Sequence, residues 1–165
     1  MARKIGFFLL GVLLIANFER CKTFAGAYPS PSLWYSITSD QQFSIFQDLL
    51  QSAGWAQKLN DKNSTFSVFA PTNQAFQKLG EARLAELRKT ENREQLTSLL
   101  EKHIFPGSLD KEALIAAKNT PASVGGKIFP VQRINNKWYV GNAHPTQNPL
   151  FAQNGVFYVV DAVLE

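Results

Sequence analysis

The most informative segment of this chain is TFSVFAPTNQAF, residues 65–76, because it specifies a strand, a turn and the start of a helix in succession. Alternation places its strand residues on two opposite faces, Phe66 and Val68 on one and Ser67 and Phe69 on the other. Pro71 fixes its own φ and favours an extended residue before it, so we expect the strand to end there. Thr72 or Asn73 can then cap a helix by accepting a bond from an orphan amide. The segment predicts packing and turn formation, and it contains no catalytic group.

Apolar residues at helical spacing predict further helices on both sides of this segment. Upstream, Thr38 or Ser39 can cap a helix that runs to about Ala53, where Gly54 is a natural stop. Other short helices are predicted over residues 55–59, within the charge-rich run 81–102, and over residues 111–118 behind the cap Asp110. The charges of the run alternate in sign, which indicates solvated helical faces.

The last third of the chain has the pattern of strands. Residues 128–133 and 137–140 are two runs that Asn135-Asn136 can join in a tight hairpin, because asparagine tolerates positive φ. Residues 156–160 are almost entirely apolar, which predicts a strand buried on both faces. Helices and strands are therefore segregated along the chain, and this favours an α+β fold.

Residues 1–27 have the features of a secretory signal peptide. Two basic residues near the start precede an apolar core over residues 5–16, which is too short for an ordinary transmembrane helix. Small residues at positions 25–27 offer a cleavage site, so secretion to an extracellular or periplasmic location is expected. Several charges between the core and this site keep an uncleaved amino-terminal membrane anchor as the alternative.

Removal of residues 1–27 changes the charge balance and the cysteine count. The full chain carries 17 basic and 13 acidic residues, whereas the part from Tyr28 onward carries 13 basic and 12 acidic residues. Bulk charge therefore does not predict binding to nucleic acid or to an anionic membrane. The only cysteine, Cys21, is also removed, so neither a disulfide nor a thiolate metal site is expected. We expect an extended lead-in over residues 28–36 and a single domain over residues 37–165.

His103 is the ionisable residue that most invites a functional interpretation. It follows three leucines at helical spacing and precedes a Pro106-Gly107 turn. One interpretation is a binding-surface or pH-sensitive histidine. The other is a partly buried histidine whose ring holds the turn, and the lack of a neighbouring acid or nucleophile favours it. The sequence has no metal-ligand spacing, nucleophile motif or phosphate-binding loop, so no catalytic residue, metal or cofactor is predicted.

Three segments together resemble the fasciclin domain, a family of secreted or surface-anchored adhesion modules. They are residues 65–76, the run His103-Ile104-Phe105-Pro106-Gly107, and NGVFYVVDAVL over residues 154–164. The resemblance covers roughly residues 37–164, and it implies a compact fasciclin-like wedge or sandwich of strands with helices packed around it. It also implies a role in binding rather than in catalysis.

The departures from the family pattern concern the binding surface. The family often has a tyrosine before the histidine at the position of His103, where this chain has lysine, and Tyr158 occupies a place where the family has histidine. The resemblance thus suggests His103, Pro106 and Tyr158 as binding residues. Animal members have been linked to integrins through an Asp-Ile pair. Pro149-Leu150 occupies the corresponding place, so integrin binding by that route is not expected.

The leading hypothesis is an exported, non-enzymatic adhesion module that binds a cell-surface or matrix partner, either a protein or a polysaccharide. Neither a nucleic-acid partner nor direct membrane insertion after leader removal is expected. The alternative hypothesis is a carrier of a small apolar ligand or lipid in the extracellular or periplasmic space. It rests on the aromatic content of the chain, which includes 13 phenylalanines and three tryptophans.

Overall fold

A computed structural model describes residues 31–165 of the chain. The predicted signal peptide and the first part of the predicted lead-in, residues 28–30, lie outside the described residues. Within residues 31–165 the helices are α1 Leu33–Thr38, α2 Ser44–Ser52, α3 Trp55–Asn60, α4 Asn73–Gln77, α5 Glu81–Leu87, α6 Arg93–Glu101 and α7 Lys111–Ala117. The strands are β1 Phe66–Pro71, β2 Ile104–Pro106, β3 Val131–Ile134, β4 Lys137–Val140, β5 Leu150–Ala152 and β6 Gly155–Val160.

Four of these strands form one mixed sheet in the order β2-β1-β6-β5. The central strands β1 and β6 run parallel, from Phe66 opposite Gly155 to Pro71 opposite Val160. The short strands β2 and β5 pair antiparallel with β1 and β6 respectively, and they form the two edges. β3 and β4 form a separate hairpin. The arrangement confirms the α+β fold class that the sequence predicts.

Two strand predictions are also confirmed. Asn135 and Asn136 have φ values of 50° and 62°, which suit the tight turn that joins β3 to β4. The first strand of that hairpin begins at Val131, three residues later than predicted. Every residue of β6 is buried, as expected for a strand that is covered on both faces.

The sheet separates two apolar clusters, because successive strand residues point to opposite faces. On one face, Val68, Ala70, Phe157 and Val159 pack against helices α1 to α6. On the other face lie Phe69, Val156, Tyr158 and Val160, together with residues of α7 and the β3–β4 hairpin. The helices and the hairpin therefore hold the sheet between them.

Asn154, the residue before β6, and Gly155, the first residue of β6, both contact distant parts of the chain. A side chain at Gly155 would meet the carbonyl oxygen of Phe66, because a Cβ there would lie 1.7 Å from it, and the φ of Gly155 is +148°. The buried side chain of Asn154 accepts a bond from the Leu33 amide at 2.8 Å. Its own amide donates to two backbone carbonyls at the end of α3. One side chain thus joins α1, α3 and the central strand.

The extended lead-in is wrong for residues 33–36, because the chain is helical from Leu33. The side chain of Ser32 caps this helix by accepting a bond from the Tyr35 amide at 3.2 Å. Leu33 and Ile37, one turn apart, are fully buried against the sheet. The cap and this burial outweigh the modest helix propensity of the aromatic residues between them.

The helix predicted from Thr38 or Ser39 to Ala53 begins later than expected. Asp40 caps a short 3₁₀ turn, and α2 follows from Ser44. The side chain of Asn73 accepts a bond from the Ile45 amide at 3.0 Å, so it supports the first turn of α2. The other predicted cap, Thr72, accepts from the Ala75 amide at 3.3 Å and begins α4, as the sequence predicts.

We expect Gly155→Ala to destabilise the protein by about 3 kcal/mol or more, because the added methyl group collides with backbone rather than with a movable side chain. Gly126→Ala is the matched control, since Gly126 also has positive φ but open space around it. The control is expected to cost about 1–2 kcal/mol. Urea unfolding of the three proteins measures both effects. Equal losses in the two variants would show that the β1–β6 contact is not tight.

Candidate functional site

His103 lies in the interior, with 1% of its surface exposed. Its Nε2 accepts a bond from the Leu164 amide at 2.9 Å. Nδ1 must therefore carry the proton, and it donates to the Leu99 carbonyl at 2.8 Å. Burial lowers the pKa of this imidazole to about 4, and the charge of Lys102 acts in the same direction. The neutral ring joins the end of α6 to the carboxy-terminal segment.

Tyr158 is fully buried on β6, and its ring stacks on Phe69 with the centroids 4.7 Å apart. Its hydroxyl donates to the Leu109 carbonyl at 2.7 Å. Burial, followed by the negative charge of Asp110, raises the pKa of the phenol to about 12. Tyr158 therefore stays neutral and anchors the loop that precedes α7.

Pro106 is the only one of the three predicted residues that is exposed. It lies at the end of edge strand β2, opposite Phe66. The following turn is held by Ser67, whose hydroxyl donates to the Gly107 carbonyl at 2.8 Å and accepts from the Leu109 amide at 2.8 Å. His103 and Tyr158 pack with different clusters, so the three residues do not converge on one site.

The other edge of the sheet carries the surface that the sequence analysis missed. On β5, the side chains of Leu150 and Phe151 are 49% and 72% exposed. Because successive strand residues point to opposite faces, Phe151 lies on the face of Val156 and Leu150 on the face of Phe157, so each extends a different apolar face of the sheet to this edge. The available signal was the apolar run at residues 150–152 just before the Asn-Gly turn. This run is too short to predict a strand, because three residues show no periodicity.

The register of β5 also directs backbone groups of Phe151 outward. Along β6, the carbonyls of Asn154 and Val160 accept bonds from the β1 side, so even-numbered residues of β6 bond to β1. Phe151 lies opposite Val156, which is one of these residues. The N–H and C=O of Phe151 therefore point away from the sheet. We define the β5 edge as Leu150, Phe151 and these backbone groups.

Two open grooves are present on the described part of the surface. One, of about 520 Å³, lies along α7 and includes Leu109, Leu114 and Pro121. The other, of about 570 Å³, lies along α6 and is lined mostly by polar and charged residues. Neither of these two grooves is an enclosed apolar cavity of the kind that holds a small apolar ligand.

We expect His103 to make the stability depend on pH. The imidazole has a lower pKa in the folded state than the ordinary 6.5, so the unfolded state binds the proton more readily. Its contribution is complete above about pH 6.5, and it is lost as the pH falls towards 4. Between pH 7 and about pH 4.5 the loss is about 2 kcal/mol.

Urea unfolding at both pH values, on the native protein and on His103→Gln, measures this effect. The variant is expected to be less stable at both pH values, but to lose about 2 kcal/mol less between them. The same pH-dependent loss in both proteins would mean that other groups cause it.

No helix within residues 31–165 is long and apolar enough to cross a membrane.

Comparisons with known proteins identify the fold. The chain superimposes on a FAS1 domain pair from the insect cell adhesion molecule Fasciclin I with a TM-score of 0.72 and 17% identity, over 83% of this chain and 51% of the other.

Several relatives are similar in sequence. The rabbit (Oryctolagus cuniculus) transforming growth factor-beta-induced protein ig-h3 is 28% identical over 83% of this chain, and the match spans 20% of that protein. The immunogenic protein MPB70 of Mycobacterium bovis is 32% identical over 60% of this chain and 49% of its own length. The family model of the Fasciclin domain matches residues 41–165. The chain therefore belongs to the fasciclin domain family.

Proposed function

We propose that this protein is an exported, non-enzymatic adhesion module that binds a cell-surface or matrix partner through its folded domain. Membership of the fasciclin domain family and the fold shared with a cell adhesion molecule support this proposal. The predicted signal peptide over residues 1–27 supplies the route of export. An amino-terminal membrane anchor is the alternative form of display.

The observation that carries the proposal is the exposure of Phe151, 72% of whose surface is open to solvent. It lies on an edge strand whose neighbouring position, Leu150, is also apolar and half-exposed. Aromatic side chains at the centre of a contact often dominate binding energy. The outward N–H and C=O of Phe151 add hydrogen-bonding groups of the kind that extended peptides recognise at sheet edges.

The interior histidine and tyrosine support a non-enzymatic role. Both ring nitrogens of His103 and the hydroxyl of Tyr158 are engaged in hydrogen bonds to the backbone. Both groups are neutral and buried, so neither is placed to exchange a proton with a substrate. Of the three residues that the resemblance suggests, only Pro106 offers surface to a partner.

The β5 edge also bears on which partner binds. Pro149 and Leu150 stand where some animal relatives have an Asp-Ile pair, so this edge presents an apolar surface without that carboxylate. We therefore propose a protein partner recognised by apolar contact here, rather than an integrin recognised through an acidic residue. The chain spans only a fifth of ig-h3, so partners of that whole protein are not transferred.

We expect Phe151→Ser to weaken binding to the surface partner at least about tenfold, because an exposed aromatic anchor is lost. The measurement is capture of surface and extracellular proteins of the source organism on immobilised protein, with a heat-unfolded sample alongside. Val124→Ser is the matched control, since Val124 is 40% exposed and its amide bonds to β2 at the opposite edge of the sheet.

The two substitutions are expected to leave stability within about 0.5 kcal/mol of the native value, because both sites are exposed. Equal binding by both variants and the native protein would show that the partner does not bind at the β5 edge. Capture that is equally strong on the heat-unfolded sample would contradict binding through the folded domain.

A further inference from the structure

The charges of this protein are unevenly distributed although its net charge is small. Residues 113–160 contain no aspartate or glutamate, but they contain four basic residues, Lys118, Lys127, Arg133 and Lys137. Acidic and basic residues are nearly balanced in the described chain before residue 113. A bulk charge argument overlooks this separation, because it averages the four cations over the whole chain.

All four basic side chains are exposed, and they lie on connected parts of the fold. The Lys118 carbonyl accepts a bond from the Val131 amide at 2.7 Å, so the end of α7 adjoins the start of β3. The far end of the hairpin carries Lys137, directly opposite Ile134. Arg133 lies opposite the buried Trp138, on the other side of the hairpin from Lys137, but its Nη2 is held at the hairpin turn because it donates to the Asn136 Oδ1 at 2.9 Å. The ion pairs within residues 31–165, Lys89–Glu86 and Lys111–Glu112, both lie elsewhere.

The outer face of the hairpin adds flat rings and polar groups. Tyr139 lies opposite Gln132 across the two strands. The ring of His144 lies beside that of Tyr139, with the centroids 5.1 Å apart and the planes at 38°. His144 is fixed there because Nδ1 donates to the Trp138 carbonyl at 2.8 Å. Its Nε2 is then an acceptor for a ligand hydroxyl.

Glu101 and Asp161 lie beside this region. Glu101 lies beside Gly125, in the loop that contains Lys127. Asp161 accepts a bond from the His144 amide at 2.8 Å. We define the cationic hairpin face as the four basic residues together with Gln132, Tyr139 and His144.

We propose that the cationic hairpin face binds an acidic polysaccharide, a polymer that carries sulfate or carboxylate groups. The exposed cations match its charge, and the Tyr139 and His144 rings, with Gln132, match the apolar faces and hydroxyl groups of its sugars. This inference rests on the proposed adhesion function and adds a second partner class to it, at a surface separate from the β5 edge.

The chemistry favours a polysaccharide over other polyanions. Nucleic-acid sites combine dense positive charge with grooves for phosphates, whereas this face has four cations and hydroxyl-directed groups. Binding to an anionic membrane would need charge alone, which leaves the ordered Tyr139–His144 pair without a role. A polymer also offers many copies of a weak site, which suits a surface-displayed module.

The test uses the protein expressed from the full chain and dextran sulfate as the probe, with neutral dextran as reference. The hairpin variant combines Lys118→Gln, Lys127→Gln, Arg133→Gln and Lys137→Gln. The matched control combines Lys62→Gln, Arg83→Gln, Arg88→Gln and Arg93→Gln, four exposed cations of the helical part. Both variants have the same net charge, so they separate a local site from bulk attraction.

The native protein and the control are expected to bind dextran sulfate with similar affinity, and the hairpin variant at least about tenfold more weakly at about 0.1 M salt. Tyr139→Ala is expected to weaken binding as well, without a change in the number of ions released. Equal losses in the two charge variants, or binding to anionic phospholipid vesicles but not to dextran sulfate, would overturn the inference. Protein capture that survives in the hairpin variant would leave the adhesion function intact.

Discussion

The fold depends on the parallel pairing of β1 with β6, two strands that are separated by more than 80 residues of chain. The closeness of this pair is set at Gly155, where the carbonyl of Phe66 occupies the space of a side chain. Asn154 then fixes α1 and α3 to the same point through three hydrogen bonds, two of them buried. The segments most typical of the family thus meet at the centre of the molecule.

This central pair explains why the residues suggested by resemblance divide into interior and surface roles. His103 and Tyr158 each connect a neighbouring segment to the sheet by hydrogen bonds to backbone carbonyls and amides. The polar atoms of both side chains are engaged in hydrogen bonds of the interior, so these residues influence binding only through the stability of the fold. The proposed contacts with partners lie at the surface instead, at the β5 edge and at the cationic hairpin face, which belong to different elements.

The sequence predicts those features that depend on neighbouring residues. The Thr72 cap, the Asn135-Asn136 turn and the doubly buried β6 are local signals, and all three are present. The helix at Leu33 was missed because it depends on burial and on the distant side chain of Asn154. The support of α2 by Asn73 was missed for the same reason, since its partner Ile45 is 28 residues away.

The candidate surfaces were harder to predict than the fold. The exposure of Phe151 follows from the edge position of β5, and that position depends on pairing with β6 rather than on composition. The cationic hairpin face depends on the uneven distribution of charge along the chain and on the contact of Lys118 with β3, and only the first of these is visible in the sequence. For His103 the sequence favours a partly buried ring that holds the following turn, but the ring is fully buried and bonds instead to the Leu99 carbonyl and to the Leu164 amide, which is 61 residues away.

Residue-resolved hydrogen exchange tests most directly whether the β1–β6 pair holds the structure together. We expect amides of β1 and β6 to exchange only with the free energy of global unfolding, and those of β5 and the β3–β4 hairpin to exchange through opening at a lower free energy. The central role of this pair would be contradicted if β1 and β6 exchanged through local opening while the helices around them stayed protected.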